Sequence, residues 1–447
     1  MRGYDLRPRG GTICAFLCYG VCMRPPITAN PPITRHLQQV IEHRLSEEPV
    51  VSITGPRTVG KSTLLQAVAR QRGVNILDLD DLGTRAAVRA DPSYYVRAER
   101  QEPVFIDEFQ HVPELLDAIK AELNRDRRPG RFLITGSTRY ATLPITSQSL
   151  SGRLHVATMW PFSQGELAGR RETFLDNLLT TPDYLSVVEP SATQRPEYED
   201  MVLAGGFPLP LERGTPESRS RWYGDFVRAV VERDVLEVRQ IRQRDLFPLV
   251  LRRLAGQTAQ VLVTTKIANA MGVQHQLIGD YVQLAEAVFL VHRLDGYGRT
   301  LSAKIAHKPK VHVVDTGLGA HLLRITPERL QKHDATALTE FGHLVETFAV
   351  NEVIKQSAWS GTRMVFSHYR TKEGVEVDLI AETDDDRVIG IEVKAAGTVS
   401  GDDFRGLRQL RDRLGERFVG GVVLYLGTWP YRAEDRLYAA PLDRIWK

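Results

Sequence analysis

Cysteine is nearly absent: the 447 residues contain three, and Cys14, Cys18 and Cys22 all fall in the stretch TICAFLCYGVCM. With no other cysteine in the chain, a disulfide framework is excluded, and a reducing cytoplasm is the expected setting. The C-x3-C-x3-C spacing can place three thiols on one helical face. No histidine or fourth cysteine nearby completes a tetrahedral site, which favours ordinary apolar positions over metal ligands. Long apolar runs are missing as well. None reaches the ~18 residues that a membrane span requires, so no membrane partner is expected. Arg2, Arg7 and Arg9 ahead of an apolar patch have the outline of a signal peptide, but no small-residue cleavage site precedes RPPITANPPIT. Residues 1–34 are therefore expected to form a loosely ordered extension. Charge of one sign is also lacking: 58 Lys and Arg against 55 Asp and Glu leave a net charge of +3, so any nucleic-acid binding must be local. What remains, 42% hydrophobic and 25% charged residues, is the composition of a globular protein. The length suggests roughly three domains.

The most informative stretch is SITGPRTVGKSTLLQAVA, Ser52 to Ala69. The pattern G-x-x-x-x-G-K-[ST] supplies glycines that let main-chain N–H groups approach phosphate oxygens, a lysine ammonium, and a hydroxyl for Mg²⁺. Val50, Val51 and Ile53 precede it as an apolar strand, and Leu64, Leu65, Ala67 and Val68 follow as a helix, whose N-terminal dipole faces the anion. Gly55, Pro56, Arg57, Thr58, Val59, Gly60, Lys61, Ser62 and Thr63 are the candidate nucleotide contacts. The alternative is an ordinary glycine-containing strand-to-helix turn.

A phosphate loop alone binds; hydrolysis needs an acid at the tip of another strand. In EPVFIDEFQHVPELLDAIKAEL, Val104, Phe105 and Ile106 end in Asp107 and Glu108. Asp107 suits the Mg²⁺ shell and Glu108 suits a general base that polarises water, unless both are surface charge. A third strand, Phe132, Leu133 and Ile134, leads to Thr135, Ser137 and Thr138, and Ser137 is the candidate sensor of the γ-phosphate or of the water. Arg153, after Gly152, is either a surface ion-pair arginine or a finger on the transferring phosphoryl group, a role worth about 10³ to 10⁵ in rate. Acting in trans, it would require a homo-oligomer.

The stretches GPRTVGKST, FIDEFQHVPELLDAIK, FLITGST and SGR…WPFSQGEL resemble the archaeal-type AAA ATPase family of bacteria and archaea. In that family a C-terminal domain of unknown function, similar to restriction-endonuclease-like folds, follows the ATPase. The resemblance runs from about Arg35 to near the C-terminus. It implies ATP contacts at Gly60, Lys61, Ser62 and Thr63, with metal and water handled by Asp107 and Glu108.

The middle of the chain reads as helical and basic. From Arg219 to Arg253 there are nine arginines against five acids, with Trp222, Phe226, Val230 and Val231 as an apolar stripe. The stripe reads as core and most arginines as solvated faces. Arg233 in VERDV and the turn GGFPLP, Gly205 to Pro210, match recurring positions of the resembled family; Arg233 is a candidate phosphate or subunit contact. Further on, Ile267, Ala268 and Met271, then Gly272, then Ile278, Tyr281, Val282, Leu284 and Ala285 have helix-turn-helix grammar followed by a strand, hence a winged-helix-like module. Arg293, Arg299, Lys304, Lys308 and Lys310 downstream form a basic strand pair suited to tracking a phosphate backbone. The second helix of the pair, Gln274 to Glu286, has no arginine or lysine, which speaks against base reading and leaves packing as an equal alternative to DNA contact.

In EGVEVDLIAETDDDRVIGIEVKAA, strand alternation points Val375, Val377 and Leu379 one way and Glu376 and Asp378 the other. Ile389, Ile391 and Val393 oppose Glu392 and Lys394 likewise. A hairpin centred near Asp385 sets Asp378 opposite Glu392 and Glu376 opposite Lys394. Two carboxylates and a lysine on one face suit a Mg²⁺ site of the D-x(n)-E-x-K type found in restriction-endonuclease-like nucleases, to which Glu346 adds a helical acid. The alternative is a solvated face with a Glu376–Lys394 pair worth at most ~1 kcal/mol.

The expected fold is α/β: a P-loop domain with an AAA-type parallel sheet over 35–170, a helical lid over 171–250, a winged-helix-like module over 251–310 and an endonuclease-like α/β domain over 311–447. The expected function is Mg²⁺-dependent ATP hydrolysis coupled to a nuclease-like domain, with ATP or ADP and DNA as candidate partners. The rival is an ATP-switched nucleic-acid-binding or regulatory protein with a catalytically silent C-terminal domain. A small-molecule kinase fits less well, because the Asp107–Glu108 pair suits water better than an acceptor hydroxyl.

Overall fold

The computed structural model describes residues 33–97, 102–137, 150, 152–187, 189–238, 243–298 and 308–447. The three cysteines, nearly all of the expected extension, Thr138, Arg299 and Lys304 lie outside the described residues.

Five strands build the N-terminal sheet: β1 (Val50–Thr54), β2 (Ile76–Asp78), β3 (Val104–Asp107), β4 (Phe132–Gly136) and β5 (Leu154–Thr158). They lie in the order β2-β3-β4-β1-β5, all parallel. The three central strands β3, β4 and β1 are buried along their whole length because both faces are covered, as a parallel sheet requires, while the edge strands β2 and β5 are partly exposed. On β1, Val51 and Ile53 pack with Leu64, Leu65 and Val68 of the helix Lys61–Arg72. Val50 faces the other way, with Ile106, Phe132, Ile134 and the helix Leu115–Leu123. The parallel order brings the C-terminal ends of β1, β3 and β4 to one edge, and with them the residues after each strand.

Helices follow from Gln164 to Ala255. In the helix Pro216–Ala229, Trp222 stacks on Phe226 at 5.0 Å, and Phe207 of the GGFPLP turn lies 5.0 Å from Phe226, so the apolar stripe is core. This helix runs into a π-helical turn, Val230–Asp234. The helices Thr264–Met271 and His275–Ala287 meet at Gly272, whose φ is +67°, and are bracketed by a three-stranded antiparallel sheet ordered β6 (Gln260–Val261), β8 (Lys310–Val313), β7 (Val291–Leu294). The line drawn at residue 310 thus falls on the first residue of a strand shared with the preceding module.

The C-terminal sheet is mixed. Its strands β9 (Met364–Arg370), β10 (Glu376–Thr383), β11 (Val388–Lys394), β12 (Phe418–Tyr425), β13 (Tyr431–Glu434) and β14 (Leu437–Pro441) run in the order β13-β14-β12-β11-β10-β9. One face carries the 23-residue helix Ala335–Ser357, the other the helix Arg405–Leu414. The β10–β11 hairpin pairs Leu379 with Ile391 through Glu382 with Val388, a register centred on Asp385 as expected. The strict alternation expected of β10 does not hold. A register shift between Val377 and Ile380 puts Val377 into the cluster of Phe404 and Leu407, while Leu379 joins the opposite cluster with Ile389 and Ile391. A bulge adds one residue and so reverses the facing of everything beyond it. Among the described residues no helix is long and apolar enough to cross a membrane.

The helix Arg405–Leu414 approaches this bulge so closely that a Cβ on Gly406 would fall on the Glu376 carbonyl oxygen. Gly406→Ala is expected to lower unfolding free energy by about 1–3 kcal/mol, the usual cost of overpacking, measured by urea denaturation. An unchanged midpoint would show that the helix is free to shift.

Candidate functional site

The loop between β1 and the helix Lys61–Arg72 is built by backbone conformation. Gly60 has φ +103° and precedes a helix with no side-chain cap, so the first helical N–H groups stay available to a ligand. A side chain at Gly55 would strike the Met159 carbonyl, which seats the loop against the end of β5. Lys61 is 4% exposed, and its Nζ donates to the carbonyl oxygens of Gly55 (3.1 Å) and Pro56 (2.9 Å). An ammonium has three protons, so one remains for an anion. Burial pulls the Lys61 pKa down, against the opposing charges of Glu108, Asp234 and Asp107.

Asp107, at the end of β3, accepts hydrogen bonds from the hydroxyls of Thr135 and Ser62. Burial raises its pKa, and those two donors oppose the rise. A carboxylate and a hydroxyl from different elements meeting beside Lys61 fit a hard cation with oxygen ligands. Glu108 follows in the left-handed region, φ +53°, its N–H donating to Thr135 Oγ1 at 3.1 Å. Such a backbone costs of order 1–3 kcal/mol for a non-glycine residue and aims its side chain away from the strand direction. Its carboxylate accepts from Gln110 Nε2 at 2.5 Å, and the same amide donates to Ser137 Oγ at 3.1 Å. Glu108 and Ser137 are thus joined through Gln110, which motif reading missed.

Arg57 has a partner that motif reading also missed. Its Nη1 donates to Asp234 Oδ1 at 2.6 Å, and Asp234, the last residue of the π-helical turn, is fully buried. The contact from VERDV to the loop is made by Asp234; Arg233 is exposed. Its signal was present in the sequence: Phe226, Val227, Val230, Val231 and Asp234 share one helical stripe. On the far side of the helix, Val59, Thr63, Met159, Phe162, Pro208 and Leu211 line a cavity of about 320 Å³ that opens beside Gly60.

Arg153 lies elsewhere. Leu154 pairs with Val50 at the start of β1, so Arg153 stands at the opposite end of the sheet from the loop, where its Nη1 donates to Asn124 Oδ1 at 3.0 Å. This end of the sheet is remote from the loop of the same chain, in keeping with the two readings of Arg153 as a surface arginine or as a finger acting in trans.

The C-terminal acids converge, on an unexpected partner. Lys310 is 1% exposed, and its Nζ lies 2.7 Å from Glu346, 2.5 Å from Glu376 and 2.9 Å from Asp378. Asp378 Oδ2 accepts from Val393 N at 3.0 Å, just where the β10–β11 ladder stops. Lys394 pairs with Glu392 (2.8 Å) and Asp403 (3.6 Å), and Glu376 pairs with Arg370 (3.2 Å), so the Glu376–Lys394 pair of the alternative reading does not form. Of the expected basic strand pair, Lys310 is sequestered and Arg293 is paired with Glu286 at 2.7 Å, Lys308 is exposed, and Arg299 and Lys304 lie outside the described residues. Among the described residues, no three His, Cys, Asp or Glu side chains are arranged to hold a metal ion.

Residues 47–168 match a family model described as an AAA domain. Residues 195–329 and 341–445 match two domains of unknown function, DUF8612 and DUF4143. Uncharacterized proteins of Mycobacterium bovis and Mycobacterium tuberculosis are each 25% identical over 407 residues, covering 91% of this chain and 82% of theirs. Among solved structures, the Walker-type ATPase of Pyrococcus abyssi is similar at 15% identity and TM-score 0.41, covering 67% of this chain and 98% of that one. The RuvB Holliday junction branch migration motor of Thermotoga maritima is similar at 17% identity and TM-score 0.29, covering 57% and 88%. Both TM-scores are low, so the weight rests on the sheet, the loop and the AAA-domain match, which make the N-terminal unit an AAA-type, P-loop ATPase-like domain.

Burial, followed by the charge of Asp378, pushes the Glu392 carboxyl from its ordinary 4.5 up to about 8. A raised folded-state pKa contributes stability below the unfolded value and loses it as pH rises through the folded one. Wild-type stability relative to Glu392→Gln should therefore fall between pH 4.5 and 8. The slope should be at most about 1.4 kcal/mol per pH unit in paired urea melts. A difference independent of pH would show that Glu392 ionises freely.

Proposed function

We propose that the chain is a Mg²⁺-dependent AAA-type ATPase that uses its nucleotide state to reposition the helical segment and the domains beyond it. The observation that carries this reading is the meeting of Ser62 and Asp107 beside the uncapped helix that Gly60 opens. Main-chain N–H groups of Thr58 to Thr63 and the remaining Lys61 proton bind the phosphates, and the cavity lined by Val59, Met159, Phe162 and Pro208 takes the adenine. Ser62 and Asp107 would hold Mg²⁺, which supplies charge neutralisation at the phosphate oxygens. Glu108 accepts a proton from the attacking water as the new oxygen bond to the γ-phosphorus forms and the bond to the β–γ bridging oxygen breaks, releasing ADP. Gln110 holds the Glu108 carboxylate and links it to Ser137. Arg57, shared between Asp234 and the arriving phosphate, carries the nucleotide state into the π-helical turn. Arg153 can serve only a neighbouring copy, so an arginine finger at this position requires a homo-oligomer.

For the C-terminal domain, the buried Lys310 among the acids favours the catalytically silent reading over a nuclease centred on Glu346, Asp378, Glu392 and Lys394. DNA would then be a bound partner rather than a substrate. Exposed Arg252 and Arg253 of the helix Leu246–Ala255 and exposed Lys266 of the first winged-helix-like helix border an open groove of about 750 Å³ for a phosphate backbone.

Lys61→Ala should abolish ATP turnover. Glu108→Gln should retain ATP while slowing hydrolysis by roughly 10²- to 10⁴-fold, the usual worth of a general base. Unchanged phosphate release in both variants would defeat the reading. Phosphate release with and without DNA tests the partner: stimulation supports coupling, and transfer to a small metabolite instead of water would revive a kinase.

A further inference from the structure

Lys310 and His312 share one face of β8, because strand residues alternate, and that face is covered by the helix Ala335–Ser357: Lys310 meets Glu346 and His312 meets Thr347 at 3.1 Å. The strand is anchored from both sides. Lys310 pairs with Leu294 of β7 and with Val261 of β6, and the main chain after β7 is tied to β9 through Tyr297 N to His368 O (2.7 Å) and His368 N to Asp295 O (2.9 Å). The ammonium is therefore presented to the acids by a fixed backbone rather than by a mobile surface side chain.

We infer that Lys310 is the resident cation of the C-terminal acid cluster, occupying the position among Glu346, Glu376 and Asp378 that a divalent metal would need. This rests on the catalytically silent reading of the domain and names the group that silences it. An ammonium has three donors: the Lys310 Nζ donates to Glu346 and Asp378, and Glu376 adds an ion pair at 2.5 Å. Burial alone would lower the Lys310 pKa; the charges of Asp378, Glu346 and Glu376 outweigh it and hold the group protonated, well above its ordinary value. The carboxylate oxygens are otherwise largely committed. Asp378 Oδ2 is taken by Val393 N, Glu376 Oε2 by Arg370 and Glu392 Oε1 by Lys394. Glu392 Oε2 is buried without a hydrogen-bond partner. A Mg²⁺ or Mn²⁺ ion would have to gather several of these oxygens while sitting beside a fixed positive charge. Removing that charge leaves an anionic pocket bordered by Glu346, Asp378 and Glu392, inside a cavity of about 470 Å³.

The test is Mn²⁺ binding to the full chain without nucleotide, read by electron paramagnetic resonance of the free ion. Lys310→Met should gain one equivalent of Mn²⁺ over wild type, and adding Asp378→Asn should remove it. If Lys310→Met gives no cooperative melt, Lys310→Met with Glu376→Gln removes one charge of each sign and should show the same gain. The inference is overturned if a folded variant gains no Mn²⁺, or if wild type already binds an equivalent that Asp378→Asn removes. The same samples incubated with DNA separate the two levels. Metal-dependent cutting by wild type that is lost in Asp378→Asn sinks the silent reading itself, whereas an inert wild type with Mn²⁺-free, folded Lys310 variants sinks only the role of Lys310.

Discussion

The left-handed turn at Gly60 is the constraint on which the rest depends. It follows the loop after β1 and starts a helix without a side-chain cap, so a row of main-chain donors faces the sheet edge where β3 and β4 also end. The parallel order does the remaining placement: because β1, β3 and β4 point the same way, Lys61, Asp107, Glu108 and Ser137 arrive together from distant parts of the chain. The cost is local and visible. Lys61 is buried against carbonyl oxygens, Asp107 is desolvated, and Glu108 holds a backbone that only a few residue types adopt readily. Strain and desolvation concentrated at one sheet edge are what a site poised for charge-rich chemistry shows.

Two ion pairs with a buried member, one at this edge and one in the C-terminal half, join structural units. Arg57–Asp234 links the phosphate loop to a π-helical turn, a distortion that is rare and frequent at functional positions. Lys310 links the three-stranded sheet to the acids of the C-terminal domain. Both place one partner in each of two structural units, so a shift of either unit would leave a charge without its counter-ion. Breaking a buried pair in that way costs several kcal/mol, about 3–5 where it has been measured, which makes such pairs suited to two-position behaviour.

The phosphate loop was legible because its chemistry is local: glycine positions, one lysine and three hydroxyls within nine residues, between an apolar strand and a helix. The hairpin register was legible for the same reason, since two runs of β-forming residues flank one turn at Asp385. What escaped was non-local. Gln110 becomes meaningful only once β3 and β4 lie side by side. Lys310 reads as one member of a basic run until the helix Ala335–Ser357 covers its face, and only the direction of β5 shows at which end of the sheet Arg153 stands. The bulge in β10 shows the limit of alternation: a single extra residue, invisible in a pattern of valines and acids, turned Val377 and Leu379 to opposite sides.

The claim that most needs testing is that main-chain donors at the end of β1 grip a nucleoside triphosphate. Calorimetric titration of the purified chain with ATP and Mg²⁺ addresses it without relying on turnover. The account predicts a saturable heat for a single nucleotide per chain, weakened when Mg²⁺ is chelated because Ser62 and Asp107 then lose the ion between them and the phosphates. No heat with either ATP or ADP would contradict it.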